Sequence, residues 1–173
     1  ARIAEVAGLA LGDLKVDAEI PHVVIQPHPW RTLKNRNSAR QVPLVGASLW
    51  AARRIVETAR DDQAFAFPRY TNATRCANAT ASATLVKWVR SLKSGALNHE
   101  LRHTMSDRLR EVQCPKPIMG AIEGHGKQDV GDRYGHGYSL TVKREWLDKV
   151  ALKVTVSGPE DAPEGQLQMG TNT

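Results

Sequence analysis

The chain has 173 residues, with 24 lysines and arginines against 18 acidic residues and a formal net charge of +6. This length predicts one domain with a buried core. The two cysteines, Cys76 and Cys114, argue against a disulfide scaffold and exclude a cysteine-rich zinc module or an iron–sulfur cluster. No apolar run is long enough to span a bilayer or to form a secretory signal, and the moderately basic balance favours a polyanionic partner. Because the chain starts at Ala1, without Met and directly in a structured pattern, we expect its N-terminus to be cut.

The first part of the chain predicts a helix followed by a small antiparallel sheet. Apolar residues recur on one face from Arg2 to Leu14, where Gly12-Asp13 ends the pattern. Short β-prone runs follow at residues 14–16, 22–25 and 41–44. The segment 26–40 is polar, basic and rich in turn residues, so we expect a long basic hairpin.

After Gly46 the apolar pattern becomes helical, and Ser48 is the predicted cap of the next helix. The predicted helices cover residues 49–59, 77–92, 99–113, 118–123 and 139–152, with a loop anchored by two aromatic side chains at 65–68. The fold class is therefore α+β, mostly α, with a small three-stranded antiparallel sheet. We expect one domain over residues 1–152 and a flexible tail over residues 153–173.

One string in the fourth predicted helix allows two interpretations. His99-Glu100-Leu101-Arg102-His103 matches H-E-x-x-H, in which two histidines bind zinc and the glutamate acts as a base. Glu123 is a conceivable third ligand, but a guanidinium at Arg102 repels a zinc ion. Interpreted as His99-x-x-Arg102, the string places two phosphate-binding side chains on one helix face.

The motifs around this helix favour the phosphate interpretation. Arg2-Ile3-Ala4-Glu5 opens the first helix, Lys34 lies eight residues before Val42-Pro43-Leu44, and Gly124-His125 precedes Tyr134 by nine residues. With these motifs the chain resembles the tyrosine recombinases, the phage-integrase family, from Arg2 to about Val150. Six positions match in order and register: Arg2, Lys34, His99, Arg102, His125 and Tyr134.

The resemblance implies a role for each of these positions. Tyr134 attacks the phosphorus and forms a 3′-phosphotyrosyl link, while Arg2 and Arg102 clamp the non-bridging oxygens. The resemblance further implies that Lys34 is the general acid and that His99 is a base or proton shuttle. It also implies that His125 donates a hydrogen bond to the phosphate. The resemblance implies no metal and no cofactor.

Some residues compete for these roles. Tyr138 is the rival nucleophile, one possible helical turn beyond Tyr134. His103 is expected to be buried and hydrogen-bonded beside the site. Lys34 is the hairpin's only lysine, and arginine cannot serve as an acid at neutral pH.

The predicted contacts to the DNA backbone are on the hairpin and on one helix: Arg31, Arg36, Arg40, Lys87 and Arg90.

The sequence thus predicts a site-specific recombinase domain that cuts and rejoins double-stranded DNA. The resemblance implies a homotetramer on paired DNA sites, a tail that docks onto a neighbouring protomer, and a cytoplasmic, DNA-associated protein without membrane contact. We expect the isolated chain to be a monomer. Three alternatives remain open: a topoisomerase-type enzyme, a DNA-binding module without catalysis, and the zinc protease.

Overall fold

The computed structural model describes residues 1–34, 38–92, 98–124 and 137–152, with residues 98 and 99 described by their backbone alone. These residues form six α-helices and one three-stranded antiparallel sheet, which confirms the predicted mostly helical α+β fold. The helices are α1 (Ile3–Ala7), α2 (Gly46–Glu57), α3 (Asn78–Leu92), α4 (Asn98–Glu111), α5 (Lys116–Glu123) and α6 (Leu140–Val150). The strands are β1 (Leu14–Lys15), β2 (His22–Ile25) and β3 (Arg40–Pro43).

The sheet has the order β1-β2-β3, and β2 pairs with both neighbours. Val23 lies opposite Leu14 on one side and opposite Val42 on the other, and Ile25 pairs with Arg40. Pro43 ends β3 at an edge of the sheet, where a missing N–H costs no ladder hydrogen bond. The segment between β2 and β3 is the predicted basic hairpin, so its two ends meet beside Ile25 and Arg40.

The first helix is shorter than the predicted one. α1 ends at Ala7, and a separate 3₁₀ turn covers Leu11–Asp13. Side chains from other segments take the carbonyls at the end of α1: Thr71 Oγ1 donates to Ala7 O at 2.7 Å, and Trp30 Nε1 donates to Gly8 O at 3.0 Å. The apolar period alone does not reveal such tertiary caps, because it reports only which face is buried.

Helix starts use two serines in different ways. Ser139 is the N-cap of α6, and its side chain accepts the Val142 N–H at 3.2 Å. Ser48 was predicted to cap α2 from the preceding position, but Val45 is the N-cap. The Ser48 hydroxyl instead accepts the Val45 N–H at 3.0 Å, so that helix starts two residues earlier than Ser48.

Two apolar clusters hold the described part of the chain together. The α4–α6 cluster is formed by Leu109, Cys114, Ile118, Met119, Ile122, Leu147 and Val150. The second cluster, beside β1, is formed by Leu9, Leu14, Val16, Ala52 and Ala66. The sheet connects the two clusters, since Val23 packs on the second cluster and Val42 on the α4–α6 cluster. None of the helices in the described ranges is long and apolar enough to cross a membrane.

Candidate active site: an arginine–glutamate cluster

Arg2 lies at the start of α1, where the buried Glu5 side chain orients it. The Arg2 backbone N–H donates to Glu5 Oε2 at 2.7 Å, and Arg2 Nη1 donates to Glu5 Oε1 at 2.8 Å. Nη1 also lies 3.4 Å from Ser38 Oγ. The Arg2 side chain keeps 25% of its surface exposed against 4% for Glu5. The guanidinium is therefore fixed by an internal partner and still open to a ligand.

Arg40, at the start of β3, is the second partner of Glu5. Its Nη2 donates to Glu5 Oε2 at 2.9 Å and its Nη1 to Oε1 at 3.3 Å. Its other acceptors are backbone carbonyls, Ser38 O at 2.6 Å and Ile122 O at 2.9 Å. A guanidinium that is only 5% exposed is stable inside a protein because it is paired and hydrogen-bonded in this way. Arg40 consequently cross-links α1, β3 and the end of α5.

These contacts determine the charge of Glu5. Burial by itself raises the pKa of Glu5, but the hydrogen bonds from Arg40 and Arg2 outweigh it and lower the pKa from 4.5 to about 2. The side chain therefore stays ionised at every pH at which the protein is expected to work.

The end of α5 is shaped to fit Arg40. Gly124 follows the last residue of α5 with φ = +68°, a left-handed conformation that favours glycine. A Cβ at residue 124 would lie 2.4 Å from Arg40 Nη1. Both the backbone conformation and the approach of the guanidinium require glycine here, immediately before His125.

Arg102, on α4, is held by the same end of α5. Its Nη2 donates to Glu123 O at 2.7 Å. The Glu123 side chain is buried and accepts a hydrogen bond from the Ser106 hydroxyl, whose oxygen also lies 3.2 Å from Arg102 O. Ser106 lies one helical turn after Arg102, so this network fixes α4 against α5 at the level of the guanidinium.

Arg2 and Arg102 come from distant parts of the sequence and act on each other electrostatically. Burial lowers the pKa of Arg102, the nearby positive charge of Arg2 lowers it further, and Glu123 and Glu5 oppose the effect. Three guanidinium groups, Arg2, Arg40 and Arg102, thus face two buried glutamates. The arginine–glutamate cluster, as we call these five residues, carries surplus positive charge and suits an anion.

The sequence matches the family model described as Phage integrase family over residues 1–139, most of the chain. The chain belongs to the phage integrase family. Comparisons with curated proteins and with solved structures returned no match. The predicted resemblance is therefore confirmed, and membership assigns the chain to the site-specific tyrosine recombinases, which bind, break and rejoin DNA.

Two of the arginines predicted to contact DNA lie inside this integrase domain. Arg31 is 4% exposed, and its Nη1 and Nη2 donate to Glu5 O at 3.3 Å and to Gln26 O at 2.7 Å. Arg40 is buried in the cluster described above. The predicted contacts of Arg31 and Arg40 with DNA conflict with this placement, because both side chains are buried and donate to backbone carbonyls and, for Arg40, to the Glu5 carboxylate.

Other predicted site residues lie on the surface. Lys34 is exposed on the hairpin, and Lys87 and Arg90 are exposed on α3. His103 was expected to be buried, but it is exposed on α4. The backbone of His99 lies in the first turn of α4, one turn before Arg102.

Three predicted residues, Arg36, His125 and Tyr134, lie outside the described residues. The rival nucleophile Tyr138 is described: it is half-buried, and its ring packs against the α4–α6 cluster. Such packing restricts the movement of the Tyr138 side chain.

The described residues do not support Glu123 as a zinc ligand. Glu123, the conceivable third ligand, is buried and accepts the Ser106 hydroxyl. Within the described ranges, no three metal-binding side chains come together.

An open cavity of about 520 Å³ lies between the β1–β2 turn, α2 and α6, and no residue of the arginine–glutamate cluster lines it.

The motifs alone do not identify the residues that orient Arg2 and Arg102. Glu5 was noted only as part of a motif, and Glu123 only as a conceivable metal ligand. Spacing contained a usable sign for Glu5, since a carboxylate three residues after an arginine shares its helix face. For Arg40 and Glu123 no such sign existed, because their partners lie far away in the sequence.

Proposed function

We propose that this chain cuts and rejoins DNA through a covalent link between Tyr134 and a 3′-phosphate, without metal or cofactor. The observation that carries the proposal is the arginine–glutamate cluster. It brings Arg2 and Arg102 together, with buried glutamates behind them and surplus positive charge in front. A cluster of this charge and geometry suits a phosphodiester.

Arg2 and Arg102 act on the charge that develops during the reaction. Attack on a phosphodiester increases the negative charge on the non-bridging oxygens, and a planar guanidinium donates two parallel hydrogen bonds to such oxygens. Because Glu5 and the Glu123 carbonyl already orient the two guanidinium groups, little reorganisation is needed when the charge appears. Preorganised donors of this kind each contribute about 3–4 kcal/mol to the barrier reduction.

The bond changes balance without an external energy source. The Tyr134 oxygen forms a bond to phosphorus as the bond to the 5′-oxygen breaks, and Lys34 donates a proton to that departing oxygen. His99 accepts or relays the tyrosine proton, and His125 donates a hydrogen bond to the phosphate. Attack by a 5′-hydroxyl on the phosphotyrosyl link reverses the sequence and joins the strands.

The described neighbours of the remaining groups along the chain support this assignment. His125 directly follows Gly124, whose backbone is fixed against Arg40. His99 precedes Arg102 by one turn of α4. Lys34 belongs to the hairpin whose far end, Ser38, contacts Arg2.

We propose further contacts beyond the scissile phosphate. Lys87 and Arg90 on α3 are exposed and contact the DNA backbone, together with Arg36 on the hairpin. The working form is a homotetramer on two DNA sites, in which residues 153–173 of one protomer dock onto its neighbour. The isolated chain is monomeric and DNA-associated in the cytoplasm.

Covalent capture tests the proposal without knowledge of the target sequence. The chain is incubated with duplexes of randomised sequence that carry nicks, so that a short departing strand diffuses away and the adduct accumulates. The adducts are resolved under denaturing conditions and the captured DNA is sequenced. We expect an adduct with the parent protein and with Tyr138→Phe, and none with Tyr134→Phe.

Three results would contradict this proposal in different ways. An adduct that persists in Tyr134→Phe and disappears in Tyr138→Phe makes Tyr138 the nucleophile. Salt-dependent binding of the pool without any adduct identifies a DNA-binding module that does not catalyse. An adduct with relaxation of supercoiled plasmid, but without joining of two captured sites, identifies a topoisomerase-type activity.

A further inference from the structure

The first side of the β2–β3 hairpin is anchored to the end of α1. Trp30 Nε1 donates to Gly8 O at 3.0 Å, and Arg31 Nη1 donates to Glu5 O at 3.3 Å. The last carbonyls of a helix lack partners within the helix. The hairpin supplies those partners, and the positive charge of Arg31 lies at the helix end that favours it.

The fit between hairpin and helix is close. A Cβ at Gly8 would lie 2.7 Å from Arg31 Cδ, so the arginine stem lies directly on the glycine. The His28 ring stacks on Trp30 with 4.5 Å between centroids, and His28 Nε2 lies 2.8 Å from Asp13 Oδ2. His28 and Arg31 also exchange two backbone hydrogen bonds, of 2.9 and 3.0 Å, which close the turn between them.

The second side of the hairpin is anchored at Ser38. This residue is fully buried, its carbonyl accepts Arg40 Nη1 at 2.6 Å, and its hydroxyl lies 3.4 Å from Arg2 Nη1. Lys34 therefore lies three residues after one anchor and four residues before the other. Both anchors lead to α1, the helix that begins beside Arg2.

We propose that Arg31 and Trp30 are positioning residues for Lys34. By fixing the hairpin to the end of α1, they set the distance between the lysine that donates the proton and the arginine that binds the same phosphate. This inference rests on the function proposed above, in which Lys34 protonates the leaving oxygen. Arg31 acts from inside the protein, since its terminal nitrogens donate to backbone carbonyls.

The chemical consequence is specific to the leaving group. Proton donation contributes about 10²–10⁴-fold in rate, and a misplacement of about 1 Å can cost about 100-fold. A substrate with sulfur at the 5′-bridging position releases a thiolate, which departs with its electron pair and needs no proton. A defect that lies only in Lys34 or its position therefore disappears on the sulfur substrate, whereas a defect in the arginine clamp does not.

The test uses the full chain and a duplex captured by the parent protein, made once with a 5′-bridging oxygen and once with sulfur. Lys34→Ala calibrates the assay, with adduct formation slowed about 10²–10⁴-fold on oxygen and restored on sulfur. We expect Arg31→Met to be slowed about 100-fold on oxygen and Trp30→Phe about tenfold, with both restored on sulfur. Trp50→Phe and Arg53→Met, the same changes at exposed residues of α2, are the matched controls and should resemble the parent on both substrates.

Each other outcome overturns the inference. If Trp30→Phe and Arg31→Met are slowed equally on both substrates, the damage lies in the clamp or in folding, which a melting curve of each variant separates. If neither variant is slowed, the anchors do not position Lys34. If Lys34→Ala is not restored by sulfur although the parent forms the adduct, Lys34 is not the acid and the inference fails while the recombinase function stands. If the parent forms no adduct, the proposed function itself fails.

Discussion

Glu5 links two arginines, and its ionisation should be measurable as protein stability. In the folded protein the hydrogen bonds from Arg40 and Arg2 outweigh burial and lower the pKa of Glu5 from 4.5 to about 2. A carboxyl whose pKa is lowered by folding stabilises the protein above its unfolded-state pKa. That contribution disappears as the pH falls through the folded-state value.

The magnitude follows from the two values. At about 1.4 kcal/mol for each pH unit, a difference between 4.5 and about 2 corresponds to about 3 kcal/mol. The Glu5 side chain is only 4% exposed, so solvent screening reduces this figure little. The contribution is complete above about pH 5 and is lost between about pH 5 and pH 2.

The measurement compares the free energy of unfolding of the parent and of Glu5→Gln, by urea unfolding at a series of pH values. Comparison with the variant removes the effect of the other carboxyl groups. We expect the difference between the two proteins to shrink by about 3 kcal/mol from pH 5 to pH 2. In the control Glu57→Gln, which removes a partner of Arg54 that is 58% exposed, the difference from the parent should stay small at every pH.

A constant difference between the parent and Glu5→Gln across this pH range would refute the reasoning. It would mean that Glu5 is not ionised against Arg2 and Arg40 in the folded protein. A direct titration of the Glu5 carboxyl by nuclear magnetic resonance gives an independent value, and a midpoint near 4.5 would contradict the buried network as well.

Three further predictions concern the arginine cluster and its supports. Gly124→Ala should lower the free energy of unfolding, measured by urea unfolding, by about 1–3 kcal/mol, since φ is +68° and the new Cβ would lie 2.4 Å from Arg40 Nη1. The control Gly12→Ala should be nearly neutral in the same assay, because its Cβ would meet nothing within 4 Å. Arg40→Met should lower the free energy of unfolding by about 3–5 kcal/mol, because it leaves the buried Glu5 carboxylate without its main partner. The surface control Arg54→Met should change the free energy of unfolding by no more than about 0.5 kcal/mol. Equal effects of the two substitutions would argue against a buried ion pair. Arg102→Lys should reduce the rate of adduct formation about 10²–10³-fold with little change in stability, and an unchanged rate would show that Arg102 does not bind the reacting phosphate.

Elements with a clear local pattern could be predicted from the sequence, and tertiary contacts could not. The strand at 22–25 and the helix at 77–92 agree with β2 and α3 within one residue. The strand was indicated by its β-prone residues, and the helix by its apolar period. The first helix is much shorter than its apolar pattern predicts: the pattern runs from Arg2 to Leu14, whereas α1 covers only Ile3–Ala7. The carbonyl groups at its end accept hydrogen bonds from the side chains of Trp30 and Thr71, and no local sequence pattern indicates these tertiary contacts.

The same distinction holds within the site. The order and spacing of Arg2, Lys34 and Arg102 led to the correct family, since a catalytic set leaves chemically unusual residues at fixed separations. The predicted DNA contacts of Arg31 and Arg40 conflict with the burial of both side chains. Charge by itself suggests exposure. What buries them is the set of acceptors that the fold provides, Glu5 and several backbone carbonyls, and these come from other segments.

The proposed phosphate binding explains the composition of the arginine–glutamate cluster better than a role in stability alone. The positive charge of Arg2 lowers the pKa of Arg102, which means that it makes the charge of Arg102 more costly. In a sequence selected for stability alone, we would expect an apolar or acidic side chain in place of Arg2 or Arg102, since buried charge rarely adds net stability. Here the fold instead buries Glu5 and Glu123 behind the arginines and keeps Arg2 a quarter exposed. The glutamates compensate only part of the positive charge, and in the proposed function the remainder is complementary to the charge of the scissile phosphate.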